Sequence, residues 1–84
     1  MAHELETINF YRNVYEGEKV ITMWLKENDF KMNLPLKAPV SFALEIATYN
    51  LKCQGVECDN QLEQAVSEIL VSHWEALGGE VDIV

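Results

Sequence analysis

The chain has 84 residues and a formal net charge of −8, with 14 Asp and Glu against 6 Lys and Arg. At this length we expect one small domain with a single core, and the 49% hydrophobic and 24% charged content is typical of a globular protein and not of a disordered chain. Because contacts with phosphate groups need Lys and Arg, the shortage of basic residues disfavours direct binding to nucleic acid or to an anionic membrane.

The first twenty residues have neither a basic start nor the continuous apolar stretch of a secretory signal. No apolar run in the chain approaches the ~18 residues of a membrane-spanning helix. We therefore expect a cytoplasmic protein.

Residues 7–36 predict a three-stranded antiparallel β-meander. Turns at Glu16-Gly17 and at Glu27-Asn28 would each fold the chain so that apolar side chains share one face of the sheet. The side chains that meet on this face are Ile8, Phe10, Ile21, Met23, Leu25, Phe30, Met32 and Leu34. The alternative is a first helix and an all-α bundle, which the many β-branched and aromatic residues of this segment disfavour.

Residues 39–54 predict the first helix. Pro39 suits its first turn, and Gly55 can adopt the left-handed conformation that ends it. Residues 60–77 predict a second helix, opened by a capping box of Asn60 and Glu63. Residues 80–84 would form a short edge strand or a frayed tail. The expected fold is therefore α+β, with both helices packed on one face of the meander in a single domain, residues 1–84.

The first helix carries two apolar stripes on roughly opposite sides. The inner stripe comprises Val40, Leu44, Ala47 and Leu51, and the outer stripe comprises Phe42, Ile46, Tyr49 and Cys53. A helix that is apolar on two sides is expected to be buried on two sides. We favour a position between the sheet and the second helix, and the alternative is that the outer stripe forms the interface of a homo-oligomer.

Cys53 and Cys58 resemble half of a zinc site only in their spacing. A zinc finger needs two histidines downstream, and His73 is the only one. We expect two unlinked thiols near a turn and no metal or cofactor. His73 lies on the apolar stripe of the second helix, where a packed and hydrogen-bonded histidine is expected, so the sequence predicts no catalytic residues and no enzyme.

Acidic residues dominate the last third of the chain. Residues 53–84 contain no Lys or Arg and seven acids, which we call the acidic surface: Glu57, Asp59, Glu63, Glu68, Glu75, Glu80 and Asp82. Such a surface keeps a small protein soluble, and it also suits a basic partner. We expect a small non-enzymatic binding protein, inhibitor-like, antitoxin-like or regulatory, that docks on a basic site of a partner such as a nucleic-acid-binding protein. The alternative is a homo-oligomeric structural or assembly protein that uses the outer stripe.

Overall fold

Three antiparallel strands are followed by two helices in the computed structural model, which describes residues 7–83. The elements are β1 (Ile8–Tyr15), β2 (Glu18–Leu25), β3 (Phe30–Pro35), α1 (Val40–Cys53) and α2 (Asn60–Leu77). The α+β prediction is confirmed, and the all-α alternative is wrong because the first segment is a strand. Neither helix in this part of the chain combines the length and the apolar character that a membrane crossing requires.

The strands lie in the order β1-β2-β3, in the register that the two turns predicted. Ile8 pairs with Leu25 across the first hairpin, and Met23 pairs with Met32 across the second. In the first turn, Glu16 and Gly17 both have positive φ values, 54° and 79°. Two such residues make the type I′ turn, whose twist matches that of the paired strands. The hairpin therefore fixes which face of each strand is apolar.

The second turn is tied to the helical layer. Its backbone closes through the Asp29 N–H, which donates to the Lys26 carbonyl at 3.2 Å. The Asn28 side-chain amide donates to the Gln54 carbonyl at the end of α1, at 2.9 Å. This contact satisfies one of the carbonyls that a helix leaves unpaired at its C-terminus.

Both helices cover the predicted apolar face of the sheet. α1 lies beside β3, α2 lies beside β1, and the two helices contact each other. The buried core between the layers contains Ile8, Ile21, Met23, Leu25, Leu34, Val40, Ala43, Ala47, Leu51, Leu62, Val66, Leu70 and Trp74. The indole Nε1 of Trp74 donates to the Ala38 carbonyl at 2.9 Å, so the largest core side chain is buried with its polar atom satisfied.

The position of α1 differs from the favoured expectation. The helix lies side by side with α2 on the sheet and not between the sheet and α2. Its inner side is buried through Val40, Ala43, Ala47 and Leu51, and no other element described in residues 7–83 covers its outer side. The predicted inner stripe is correct except at one position, where Ala43 is buried and Leu44 is only half-buried. An apolar stripe also does not specify what packs against it.

The described part of the predicted tail, residues 80–83, forms no strand. Gly78 ends α2 in the left-handed conformation, with φ of 80°. The chain then turns back to the start of α1, where the Val40 N–H donates to the Glu80 carbonyl at 3.0 Å. Val84, the last residue of the predicted tail, lies outside the described residues.

Candidate functional site

Two of the seven residues of the acidic surface have structural roles, and the first is Asp59. Its carboxylate accepts a hydrogen bond from the Leu62 N–H at 2.8 Å and caps the N-terminus of α2. The predicted capping box of Asn60 and Glu63 is therefore wrong: Asn60 is already helical, and the cap lies one residue earlier. Both residue types cap well, so the sequence alone did not separate them.

Asp82 caps the N-terminus of α1, although it lies 41 residues after Ser41 in the sequence. Its carboxylate accepts hydrogen bonds from the Ser41 N–H at 3.1 Å and from the Ser41 hydroxyl at 2.6 Å. Pro39, the residue before the first residue of α1, provides no side-chain cap for this helix. The bonds from the Ser41 hydroxyl and N–H lower the pKa of Asp82, because they favour its charged form. Asp82 therefore stabilises the first turn of α1.

The other five carboxylates of the acidic surface have no such role. Within residues 7–83 the structure records one ion pair, Lys37 with Glu18 at 3.9 Å, and it lies outside this surface. No side-chain hydrogen bond or ion pair within the same residues engages the carboxylates of Glu57, Glu63, Glu68, Glu75 and Glu80. All but Glu63 are exposed. These five are the part of the acidic surface that remains available to a partner.

Glu63 is half-buried because it faces α1. It lines a depression of about 190 Å³ between the two helices together with Leu44, Glu45 and Thr48. Glu45 was not among the predicted site residues, since it belongs to the first part of the chain, where acids and bases nearly balance. Its position between the inner and outer stripes of α1 was the signal that would have identified it. The fold thus brings two carboxylates from different helices to one depression.

The outer stripe of α1 faces away from the core. Phe42 retains 50% and Tyr49 retains 67% of its accessible surface, and Cys53 is also exposed. Ile46, between them, is half-buried and packs against the edge of the core. A hydrogen bond with the side chain of Cys53, one turn away, raises the pKa of Tyr49. The four residues of the outer stripe are spaced three and four apart, so their side chains form a ridge along the helix, which we call the apolar ridge.

The two cysteines are free thiols. Burial raises the pKa of Cys58, and the negative charges of Glu63 and Asp59 raise it further, against an opposing effect of Lys52. A raised pKa keeps the thiol protonated, which is unsuited to a nucleophile or a metal ligand. Among the described residues, no three His, Cys, Asp or Glu side chains form a group suited to a metal ion.

His73 lies where α2 packs beside β1. Burial lowers the pKa of its imidazole, and the positive charge of Arg12 lowers it further, while a hydrogen bond with the Phe10 backbone opposes both effects. Phe10 belongs to β1, an edge strand of the sheet. The sequence predicted a packed and hydrogen-bonded histidine at this position, and His73 is half-buried.

The sheet face opposite the helices carries a polar ladder across all three strands. The Asn13 side-chain amide donates to the Thr22 hydroxyl at 3.1 Å, and that hydroxyl donates to Asn33 Oδ1 at 2.7 Å. Thr22 is buried in this ladder. The polar groups of these side chains bond to one another. They are therefore less available to bind a polar ligand.

At one end of the same face, two lysines lie over an indole ring. The Nζ atoms of Lys31 and Lys26 lie 5.0 Å and 5.7 Å from the centroid of Trp24. The Trp24 Nε1 is buried and has no hydrogen-bond partner among residues 7–83. Both ammonium groups therefore already have a cation–π partner within the fold.

Comparison of this chain with protein-family models, with curated proteins and with solved structures finds no match. Its function must therefore be argued from its own residues.

Proposed function

We propose that this chain is a small, non-enzymatic binding protein whose acidic surface docks on a basic site of a partner protein. The observation that supports this proposal best is the state of the carboxylates. Five of the seven acids of the acidic surface lack an intramolecular partner among residues 7–83, and no Lys or Arg occurs from residue 53 onward. Carboxylates without counter-charges repel one another, and this repulsion lowers the stability of the fold.

A basic partner supplies the missing counter-charges. Carboxylates such as Glu68 and Glu75, on the solvent side of α2, would steer the encounter by long-range attraction. Sites that bind nucleic acid are rich in Lys and Arg, so a nucleic-acid-binding protein is the kind of partner that such a surface would occupy and block. An inhibitor, an antitoxin-like protein or a regulatory subunit would act in this way.

The chemistry of the potential reactive groups also supports a binding role. The pKa of Cys58 is raised, which disfavours the nucleophilic thiolate. His73 is half-buried on α2, which packs beside β1. Two free thiols also suit a reducing compartment, so a cytoplasmic location forms part of this proposal.

The test begins with capture of bound proteins from cells of the native host, followed by elution with increasing salt. Two variants are compared with the wild type: one carries Glu68→Lys and Glu75→Lys, and the control carries Glu16→Lys and Glu27→Lys. Both variants change the net charge equally, and all four residues are exposed. Salt-dependent recovery of a basic protein by the wild type and the control, but not by the first variant, supports the proposal. Equal recovery by both variants contradicts it.

A homo-oligomeric structural or assembly protein is the second candidate. The exposed outer stripe favours it, because Phe42 and Tyr49 are large side chains that a monomer leaves in water. Light scattering over a range of concentrations tests it, since an oligomer built on this stripe would become monomeric when Tyr49 is replaced by Glu. A chain that is monomeric at all concentrations would exclude it.

A further inference from the structure

We propose that the exposed face of α1 is the surface on which a basic amphipathic helix of the partner protein packs. This docking site rests on the function proposed above, and it adds where the apolar contacts are made and what kind of segment makes them. The acidic surface would then guide the encounter, and α1 would hold the complex together.

The two aromatic residues of the ridge, Phe42 and Tyr49, are not needed by the core. Residues that α1 contributes to the interior lie on its other side and are fully buried. Phe42 and Tyr49 lie two turns apart on the solvent side, with Ile46 between them, and the two aromatic side chains keep half or more of their surface exposed. Aromatic residues that remain in water on a rigid helix are typical anchors of protein–protein interfaces.

The charges beside the ridge identify the partner as basic. Glu45 is the only charged residue between Lys37 and Lys52 in the sequence, and it lies next to the ridge. Glu63 faces it across the depression between the helices. Lys52, the one base on α1, lies seven residues from Glu45 on the same side of the helix, so one base accompanies these two acids. An apolar ridge with an acidic border matches a segment that combines apolar and basic side chains.

A second copy of this chain fits the same face poorly. In a two-fold dimer the same surface is used by both copies, so Glu45 and Glu63 of each chain would enter one interface. Lys52 of each chain is one base against these two acids, and each chain carries a net charge of −8. The repulsion favours a partner of opposite charge over self-association.

The shape of the face favours a helix. A ridge of residues spaced three and four apart, beside a depression between two packed helices, receives the side chains of a third helix. The depression of about 190 Å³ has Leu44 as its apolar wall and carboxylates on both helices. An arginine of the partner suits this position, because its planar guanidinium forms paired hydrogen bonds with carboxylates.

The experiment uses three synthetic peptides and the full chain labelled for NMR. The first is an amphipathic peptide of about 15 residues built from Leu and Arg, long enough to form a helix when bound. The second is a short oligo-arginine, and the third replaces every Arg of the first with Glu. Backbone amide shifts report where each peptide binds, and dissociation constants are measured for the wild type, for Phe42→Ala and for Tyr49→Ala. The matched control is Val14→Ala, another exposed apolar side chain, on the far hairpin.

The proposal predicts that the Leu/Arg peptide shifts the amides of Phe42, Glu45 and Tyr49 most strongly. Either alanine variant of α1 should weaken its binding about tenfold, while Val14→Ala leaves the binding unchanged. Oligo-arginine should bind more weakly than the Leu/Arg peptide, and the Leu/Glu peptide should not bind. If one of the two α1 variants fails to fold, the binding measured with the other variant still tests the proposal.

Three results would overturn the proposal. Binding of the Leu/Arg peptide along Glu68 and Glu75 alone would reject the docking site while leaving the proposed function intact. Absence of binding by both basic peptides would count against both. Concentration-dependent shifts of the α1 amides without any peptide would assign this face to a second copy of the chain.

Discussion

The carboxylate of Asp82 holds the first turn of α1 through Ser41, accepting hydrogen bonds from its hydroxyl at 2.6 Å and from its backbone N–H at 3.1 Å. The contact joins the C-terminal tail to a helix that begins at Val40 and has no side-chain cap from Pro39. The positive end of the helix dipole favours the negative charge at this position. Part of the acidic surface therefore stabilises the fold itself.

The first prediction concerns this contact and pH. Because the Ser41 hydrogen bonds lower the pKa of Asp82 below its ordinary value of 3.8, the stability that the contact gives is present above pH 3.8 and is lost as the pH falls through the lowered pKa. Asp82→Asn should thus lower the free energy of unfolding at pH 6, and the difference from wild type should shrink below pH 3.8. Urea unfolding at several pH values measures this. A difference that stays constant down to pH 2 would contradict it.

The second prediction identifies the cap of α2. Asp59→Ala removes the acceptor of the Leu62 N–H and should lower the free energy of unfolding by about 1 kcal/mol. Asn60→Ala is the matched control, since its side chain caps nothing in the structure, and alanine is the better helix former. Thermal unfolding monitored by circular dichroism compares them. Equal losses for both variants would show that the cap is not specific to Asp59.

The strand register could be predicted from the sequence because two separate turns placed the same apolar residues on one face. The pairing of Ile8 with Leu25 and of Met23 with Met32 follows directly from that alternation. The contact between Ser41 and Asp82 could not be predicted, because no local pattern links residues that far apart. For the same reason, the apolar pattern of α1 marked Phe42 and Tyr49 but not whether another element of the chain covers them.

The third prediction concerns His73. Burial and the charge of Arg12 lower its pKa below 6.5, so the folded state binds a proton less readily than the unfolded chain. Stability should therefore rise as the pH rises from the lowered pKa to 6.5. Arg12→Gln removes one of the two causes and should raise the His73 pKa, as measured by NMR titration of the imidazole. Lys19→Gln, also exposed on the hairpin, serves as the control, and a His73 pKa that both variants leave unchanged would contradict the assignment.

The fourth prediction concerns the close approach of the tail to the core. A Cβ atom at Gly79 would lie 2.5 Å from Cδ1 of Trp74 and 3.1 Å from Cδ2 of Leu36. Because Trp74 is fully buried and held by its bond to Ala38, it cannot easily move aside. Gly79→Ala should lower the free energy of unfolding by about 1–3 kcal/mol, as overpacked cores do. Chemical denaturation monitored by tryptophan fluorescence measures the change, and an Ala variant as stable as the wild type would refute this packing.

The charge-reversal variants should leave the fold intact, which makes them suitable probes of binding. Glu68 and Glu75 are exposed on α2, and their carboxylates have no recorded partner within residues 7–83. Surface substitutions of this kind change stability by about 0.5 kcal/mol or less. At Glu75, near the C-terminal end of the helix, a lysine would even interact favourably with the helix dipole. A loss of binding in these variants can therefore be attributed to charge.

The most direct measurement of the central claim is the association rate constant with the captured basic partner, determined by stopped-flow fluorescence between about 20 mM and 500 mM salt, a range over which the Debye length falls severalfold. For the wild type, and for the control with Glu16→Lys and Glu27→Lys, the rate should be high at low salt and decrease steeply as salt is added. For the variant with Glu68→Lys and Glu75→Lys, the rate at low salt should fall about tenfold or more, with much of the salt dependence lost. An association rate that neither salt nor these reversals alters would show that the acidic surface does not guide binding.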